Sequence, residues 1–128
     1  MKNIIILATI RTGRTWTAQK IRETLGDKVG AIIVADELYA IDKLDLGKDN
    51  LILAMGFAGI TGEQLLQIMK DEKDNKASLG LEWCKGLCER SKEIKKLAEK
   101  FGFKYFDVRD KRDESLYQPI VDYVKKNI

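Results

Sequence analysis

The segment Ala8-Thr9-Ile10-Arg11-Thr12-Gly13-Arg14-Thr15 carries the residue types and spacing closest to a known chemistry. A phosphate-cradling loop reads Gly, four residues, then Gly-Lys-Ser/Thr, between a strand and a helix. Here the spacing is kept, with Gly13 and Thr15 in place. Ala8 stands for the first Gly and Arg14 for the Lys. Gly13 lets backbone N–H groups turn toward an anion, and a helix N-terminus favours negative charge beside it. The Thr15 hydroxyl suits a Mg²⁺ ion. Arg14 retains the charge but brings a planar guanidinium in place of an ammonium. Arg11 adds a second cation, and Thr12 completes the candidate cofactor-binding set. The competing reading is an ordinary strand-to-helix turn that contains a glycine.

Three other loops hold candidate groups. Asp36 opens Asp36-Glu37-Leu38-Tyr39. Its carboxylate would accept a proton from a substrate hydroxyl or hold a metal-bound water; equally, it would cap the short helix expected next. The stretch Gly56-Phe57-Ala58-Gly59-Ile60-Thr61-Gly62 is glycine-rich, which permits close approach of a ligand or of another backbone. No acid occurs between Leu51 and Gly62, so this strand supplies no carboxylate of the kind that holds Mg²⁺ in ATPases. Arg109, Lys111 and Arg112 could meet a base or a phosphate, or form a charged surface turn. Arg90 could reach a phosphate from a helix, or lie on a solvated face. Cys84 and Cys88 share a helix face at i,i+4, a geometry that suits two small buried hydrophobes better than a disulfide.

Positioning these groups requires a scaffold, and the apolar pattern predicts one. Residues 3–8, 31–35 and 51–55 are continuous apolar runs, suited to strands buried on both faces of a parallel sheet. Residues 103–106 form a fourth, aromatic-rich candidate. Helical spacing marks residues 14–25, with Ala18, Ile21 and Leu25 on one stripe and Gly26 as the stop. It also marks Thr61 to about Glu72, with Thr61 and Gln64 in capping-box spacing. The clearest pattern is 81–101, where Trp83, Leu87, Ile94, Leu97 and Phe101 recur before Gly102. A last helix is expected over 116–124, with Ser115 and Gln118 as its box and Pro119 tolerated near the first turn. Lys70 to Lys76 reads as a solvated loop. Alternation of this kind implies a single α/β domain over 1–128, with helices on both faces of the sheet. Ligands of such sheets bind beyond the carboxyl ends of the strands.

Composition narrows the functions. The chain has 128 residues, 45% hydrophobic and 34% charged, with a net charge of +3. That charge is too mild to argue for nucleic acid. Histidine is absent, which excludes Ser-His-Asp and Cys-His catalysis and any His-ligated metal within this chain. No apolar run approaches the roughly 20 residues that span a bilayer, and the N-terminal residues lack a signal-peptide layout. We expect a cytoplasmic protein that needs neither nucleic acid nor membrane.

Taken in order, these segments resemble the P-loop kinases of small molecules, the nucleoside- and nucleoside-monophosphate-kinase-like group. Ala8–Thr15 resembles the phosphate loop in degenerate form, and Asp36-Glu37-Leu38-Tyr39 the acidic segment that meets the phosphate acceptor. Residues 51–64 resemble the third strand and its helix, where relatives often carry Glu-Gly and this chain has Met55-Gly56. Residues 89–128 resemble the C-terminal part. The resemblance implies a three-layer α/β/α sandwich, Rossmann-like, with a mostly parallel sheet of four to five strands. It implies an ATP-dependent phosphotransferase with Mg²⁺ and ATP as cofactors, a small-molecule acceptor as partner, and impaired or lost activity. Gly13, Arg14 and Thr15 would meet phosphate and Mg²⁺, Asp36 would be the acceptor-binding group or base, and Arg90 the lid arginine. The alternatives are a non-catalytic or engineered scaffold or interaction domain, and a flavodoxin-like or other Rossmann-like binding domain.

Overall fold

The computed structural model describes residues 1–36, 49–109 and 113–128, with the side chain of Asp36 excepted. The chain runs β1 (Asn3–Ala8), α1 (Arg14–Leu25), β2 (Ile32–Asp36), β3 (Asn50–Gly56), α2 (Gly62–Asp71), α3 (Gly80–Phe101), β4 (Lys104–Asp107) and α4 (Glu114–Asn127). Short 3₁₀ turns occupy Gly26–Lys28 and Asn75–Leu79. The four strands form one parallel sheet in the order β2-β1-β3-β4.

β1 is central, and its sequence explains why. Ile4, Ile6 and Ala8 point into one core, where they meet Ile21 and Leu25 of α1 and Ile120 and Val124 of α4. Ile5 and Leu7 point to the opposite face, against Ile94 and Ala98 of α3. A strand covered on both sides has no use for polar alternation, so the run is continuously apolar. The expected three layers are present, with α1 and α4 on one face and α3 on the other.

The order of strands reverses direction at β1. β2 lies to one side of it, and β3 and β4 to the other. In doubly wound sheets such a reversal opens a crevice at the carboxyl edge between β1 and β3. The register lines up Ala8, Asp36 and Met55 along that edge, with Gly56 paired to Asp107.

α3 is longer than the sheet it covers. Its 22 residues rise ~33 Å, whereas the four residues of β4 span only ~13 Å. Its C-terminal half covers the sheet through Ile94 and Ala98. Its N-terminal half, through Cys84 and Leu87, joins the core that contains Leu65 and Met69 of α2.

Expectations change at two places. The segment Lys70–Lys76 is not a detached loop: α2 runs to Asp71, and Glu72 and Asp74 pair with Arg11. Two acids four and six residues past Ile68 look like solvated charge until the fold brings an arginine from 61 residues away. The last helix starts earlier and ends later, and its cap is Asp113, whose carboxylate accepts from the Ser115 N–H. Pro119 therefore sits inside the helix, beyond its first turn, where it forgoes one N–H bond. The short helix expected after the second strand falls within residues 37–48, outside the described residues.

Candidate functional site

The β1–α1 loop is built by two left-handed residues. Arg11 has φ 68° and Gly13 has φ 86°. Between them the Thr12 hydroxyl, fully buried, donates to the Thr9 carbonyl at 2.8 Å. Gly13 is the N-cap of α1, a position where a left-handed conformation leaves little choice but glycine. Because glycine has no side chain, no cap bond forms, and the first turn of α1 carries no acid. Its N–H groups and the positive end of the helix dipole are therefore not neutralised by any side chain of that turn. Only from Thr17 onward does the backbone ladder close, with its N–H donating to Gly13 at 2.9 Å.

The loop's cations divide. Arg14, at the first helical position, folds back and donates to the Ala8 carbonyl at 3.1 Å, at the carboxyl end of β1. Its charge stays at the helix N-terminus. Arg11 turns away from the helix. Its side chain is only 3% exposed and bridges two carboxylates, Glu72 and Asp74, the latter at 2.7 Å. Burial acts to raise the Asp74 pKa, but the Lys76 N–H bond, the Arg11 hydrogen bond and the charges of Arg11 and Lys76 outweigh it and hold the carboxyl below its ordinary value. Arg11 thus fastens the end of α2 to the loop. Thr15 and Trp16 are exposed at the mouth. Thr9, immediately after β1, has a buried hydroxyl with no hydrogen-bond partner among the described residues.

A second constellation lies at the ends of β3 and β4. The Ala58 N–H donates to the Tyr105 hydroxyl at 3.0 Å, and the Asp107 carboxylate lies close enough to act on that hydroxyl electrostatically. Burial, foremost, and the neighbouring Asp107 push the Tyr105 pKa well up, so this hydroxyl stays protonated. At Gly59 of the glycine-rich loop, what approaches closely is the chain's own Asp107, whose Oδ2 would clash with a Cβ at that position. Arg109 pairs with the same carboxylate at 3.4 Å and is otherwise exposed. Asp107 Oδ1 is buried without a hydrogen-bond partner among the described residues.

Beside this lies a cleft of about 470 Å³ between the loop 58–62 and α3. Lys85, Cys88, Glu89 and Lys92 line its helical wall. Their spacing of three, four and seven residues would have identified a shared face. Arg90, by contrast, is exposed on α3 and is not part of that wall. Cys84 and Cys88 are both buried and unpaired. Burial pushes the Cys88 thiol up to about 11, which leaves it a poor nucleophile.

The structure thus gathers Thr12, Gly13, Arg14 and Thr15 at one helix start. It places Arg11 in an ion-pair network, Arg109 at the end of β4 and Arg90 on the outer part of α3. The backbone of Asp36 ends β2 opposite Ala8, on the same edge as the loop. The side chain of Asp36, and Glu37, Leu38, Tyr39, Lys111 and Arg112, lie outside the described residues. No three His, Cys, Asp or Glu side chains converge as metal ligands among the described residues. No helix among them is long and apolar enough to cross a membrane.

Models of protein families, curated proteins and solved structures offer no match to this chain.

Proposed function

We propose that the chain binds the phosphate groups of a nucleotide at the β1–α1 loop. The observation that supports this is the start of α1: an N-cap glycine at φ 86° with no capping side chain, no acid in the first turn, and Arg14 at the first position. N–H groups, dipole and guanidinium together favour an anion there. The loop also leads from a strand next to the reversal in strand order, where doubly wound sheets take their ligands.

In its fullest form the reading is a P-loop-kinase-like phosphotransferase. Mg²⁺ would accompany ATP and take the Thr15 hydroxyl among its ligands. Asp36 would receive the proton of a small hydroxyl acceptor, and Arg14 and Arg90 would offset charge on the transferred phosphoryl group. Arg11 is committed to Glu72 and Asp74, whereas Arg14 holds its guanidinium at the helix start through the Ala8 carbonyl.

The test is titration with Mg-ATP, inorganic tripolyphosphate and phosphate, read by calorimetry and by thermal unfolding. Binding should raise the melting temperature, since a ligand at 100 times its Kd adds ~2.7 kcal/mol. Arg14→Glu, a substitution on the half-buried first turn, should abolish that rise while leaving the circular dichroism spectrum unchanged. Absence of binding at millimolar ligand would favour the scaffold reading instead. The order β2-β1-β3-β4 supports one further reading, a flavodoxin-like domain with a flavin phosphate on the same loop. A yellow preparation, or quenching of added flavin mononucleotide, would select it over the kinase-like reading.

A further inference from the structure

Trp16 is 61% exposed, although it is the largest apolar side chain in its part of the surface. It stands third in α1, two residues after Arg14, a rise of ~3 Å along the axis. It forms one wall of a cavity of about 430 Å³, with Lys20 from the next turn, Tyr117 of α4 and Glu72 beyond α2. That volume is within the range of small-ligand sites.

The indole has neighbours on three sides. Lys20 Nζ bonds Glu114 at 2.8 Å, which ties α1 to the start of α4. Glu72 is held by Arg11. Tyr117 is 6% exposed and belongs to the core under α1 and α4. An aromatic face open to solvent beside a carboxylate held by Arg11 and a surface ammonium is suited to a planar ring with polar edges. The indole supplies stacking, Glu72 accepts ring N–H groups, and Lys20 donates to ring nitrogen or carbonyl.

We infer that this cavity is the base site: the nucleobase of the ligand stacks on Trp16 while its phosphates lie on the first turn of α1. The inference rests on the phosphate-binding reading above and names where the rest of the ligand goes. Arg14 and Trp16 lie on the same first turn of α1, which puts the phosphate site and the ring site at one end of that helix.

The experiment compares Mg-ATP, Mg-GTP, inorganic tripolyphosphate and adenosine on the full chain, by calorimetry and by tryptophan fluorescence. The chain has two tryptophans, so fluorescence is read in Trp83→Phe, and the Trp16→Phe variant supplies the difference spectrum should Trp83→Phe fold poorly. The nucleotides should bind more tightly than tripolyphosphate and quench Trp16. Trp16→Ala should weaken ATP roughly tenfold or more, as loss of base stacking does, and leave tripolyphosphate affinity unchanged. Equal affinity for ATP and tripolyphosphate, with ATP indifferent to Trp16→Ala, would overturn the base site and leave the phosphate reading standing. Quenching of Trp16 by adenosine without any tripolyphosphate binding would support the base site and overturn the phosphate reading. Failure of every ligand to bind would overturn both.

Discussion

Replacing Arg11 separates two opposed effects at one position. Its guanidinium is 3% exposed, while its partners Glu72 and Asp74 are 36% and 21% exposed. An exposed pair is worth ~0.2–1 kcal/mol, and breaking a fully buried one costs ~3–5 kcal/mol. With one partner buried and two acids half in water, Arg11→Ala should cost ~2 kcal/mol, since it leaves two carboxylates facing each other without their cation. For a chain of this size that is a fall in melting temperature of roughly 6–10 °C. The backbone opposes this. At φ 68° an L-residue bears strain of ~1 kcal/mol that glycine does not. Arg11→Gly loses the same ion pairs but sheds the strain, so it should be more stable than Arg11→Ala by several tenths of a kcal/mol to about 1. Urea unfolding followed by far-ultraviolet circular dichroism measures both. A double-mutant cycle with Asp74→Asn should show coupling of about 1 kcal/mol. Arg11→Ala within about 0.5 kcal/mol of the wild type, or Arg11→Gly no better than Arg11→Ala, would refute the assignment of this loop's stability to the ion pairs and the strain.

Three further outcomes are expected. The Asp74 pKa is depressed in the fold, so its contribution is present above its ordinary value of 3.8 and lost as pH falls through the lower folded value; the difference in urea midpoint between the wild type and Asp74→Asn should therefore shrink as the pH drops below 3.8, and a difference unchanged at pH 3 or below would contradict this. Gly59→Ala drives a methyl group into the end of the Asp107 side chain and should destabilise by at most ~1 kcal/mol, since Asp107 must shift to admit it, with Asp107→Ala in the same chain recovering the loss; a larger loss, or none recovered by Asp107→Ala, by thermal unfolding would show that the clash lies elsewhere. Cys84 and Cys88, both buried with pKa values raised chiefly by burial, should react slowly with an aromatic disulfide reagent at pH 7.5 in buffer and at once in denaturing urea, whereas immediate reaction in buffer would mean that α3 opens locally.

The sequence by itself determined the scaffold. Continuous apolar runs suit strands covered on both faces of a parallel sheet; β1 and β3 are so covered, whereas the run 31–35 became the edge strand β2, which leaves Ile33 49% exposed because no helix among the described residues covers that end of the face. The stripe Ile21 and Leu25, the Thr61–Gln64 box and the stop at Gly102 are local signals, and each is where the fold has it. The cap of α4 was legible in kind but not in place, because Asp113 and Ser115 are both good caps and only the backbone chooses between them. The site was legible as far as its loop. Gly13 followed by a helix is a statement about adjacent residues, and adjacent residues stay together. What tertiary structure alone decided is which charges are engaged. Arg14 reads as the substitute for the loop lysine and Arg11 as a second phosphate cation, yet the fold pairs Arg11, at positive φ, with acids 61 and 63 residues away. The same holds for Gly59 and Asp107, and for Trp16 and Tyr117, which no periodicity relates. Strand order is likewise beyond local pattern. β1 and β3 are buried on both faces, whereas β2 leaves Ile33 49% exposed and β4 is only partly buried, and the choice of β1 as the centre, with β2 on one side and β3 on the other, is made by tertiary packing with α1 and α3 on opposite faces.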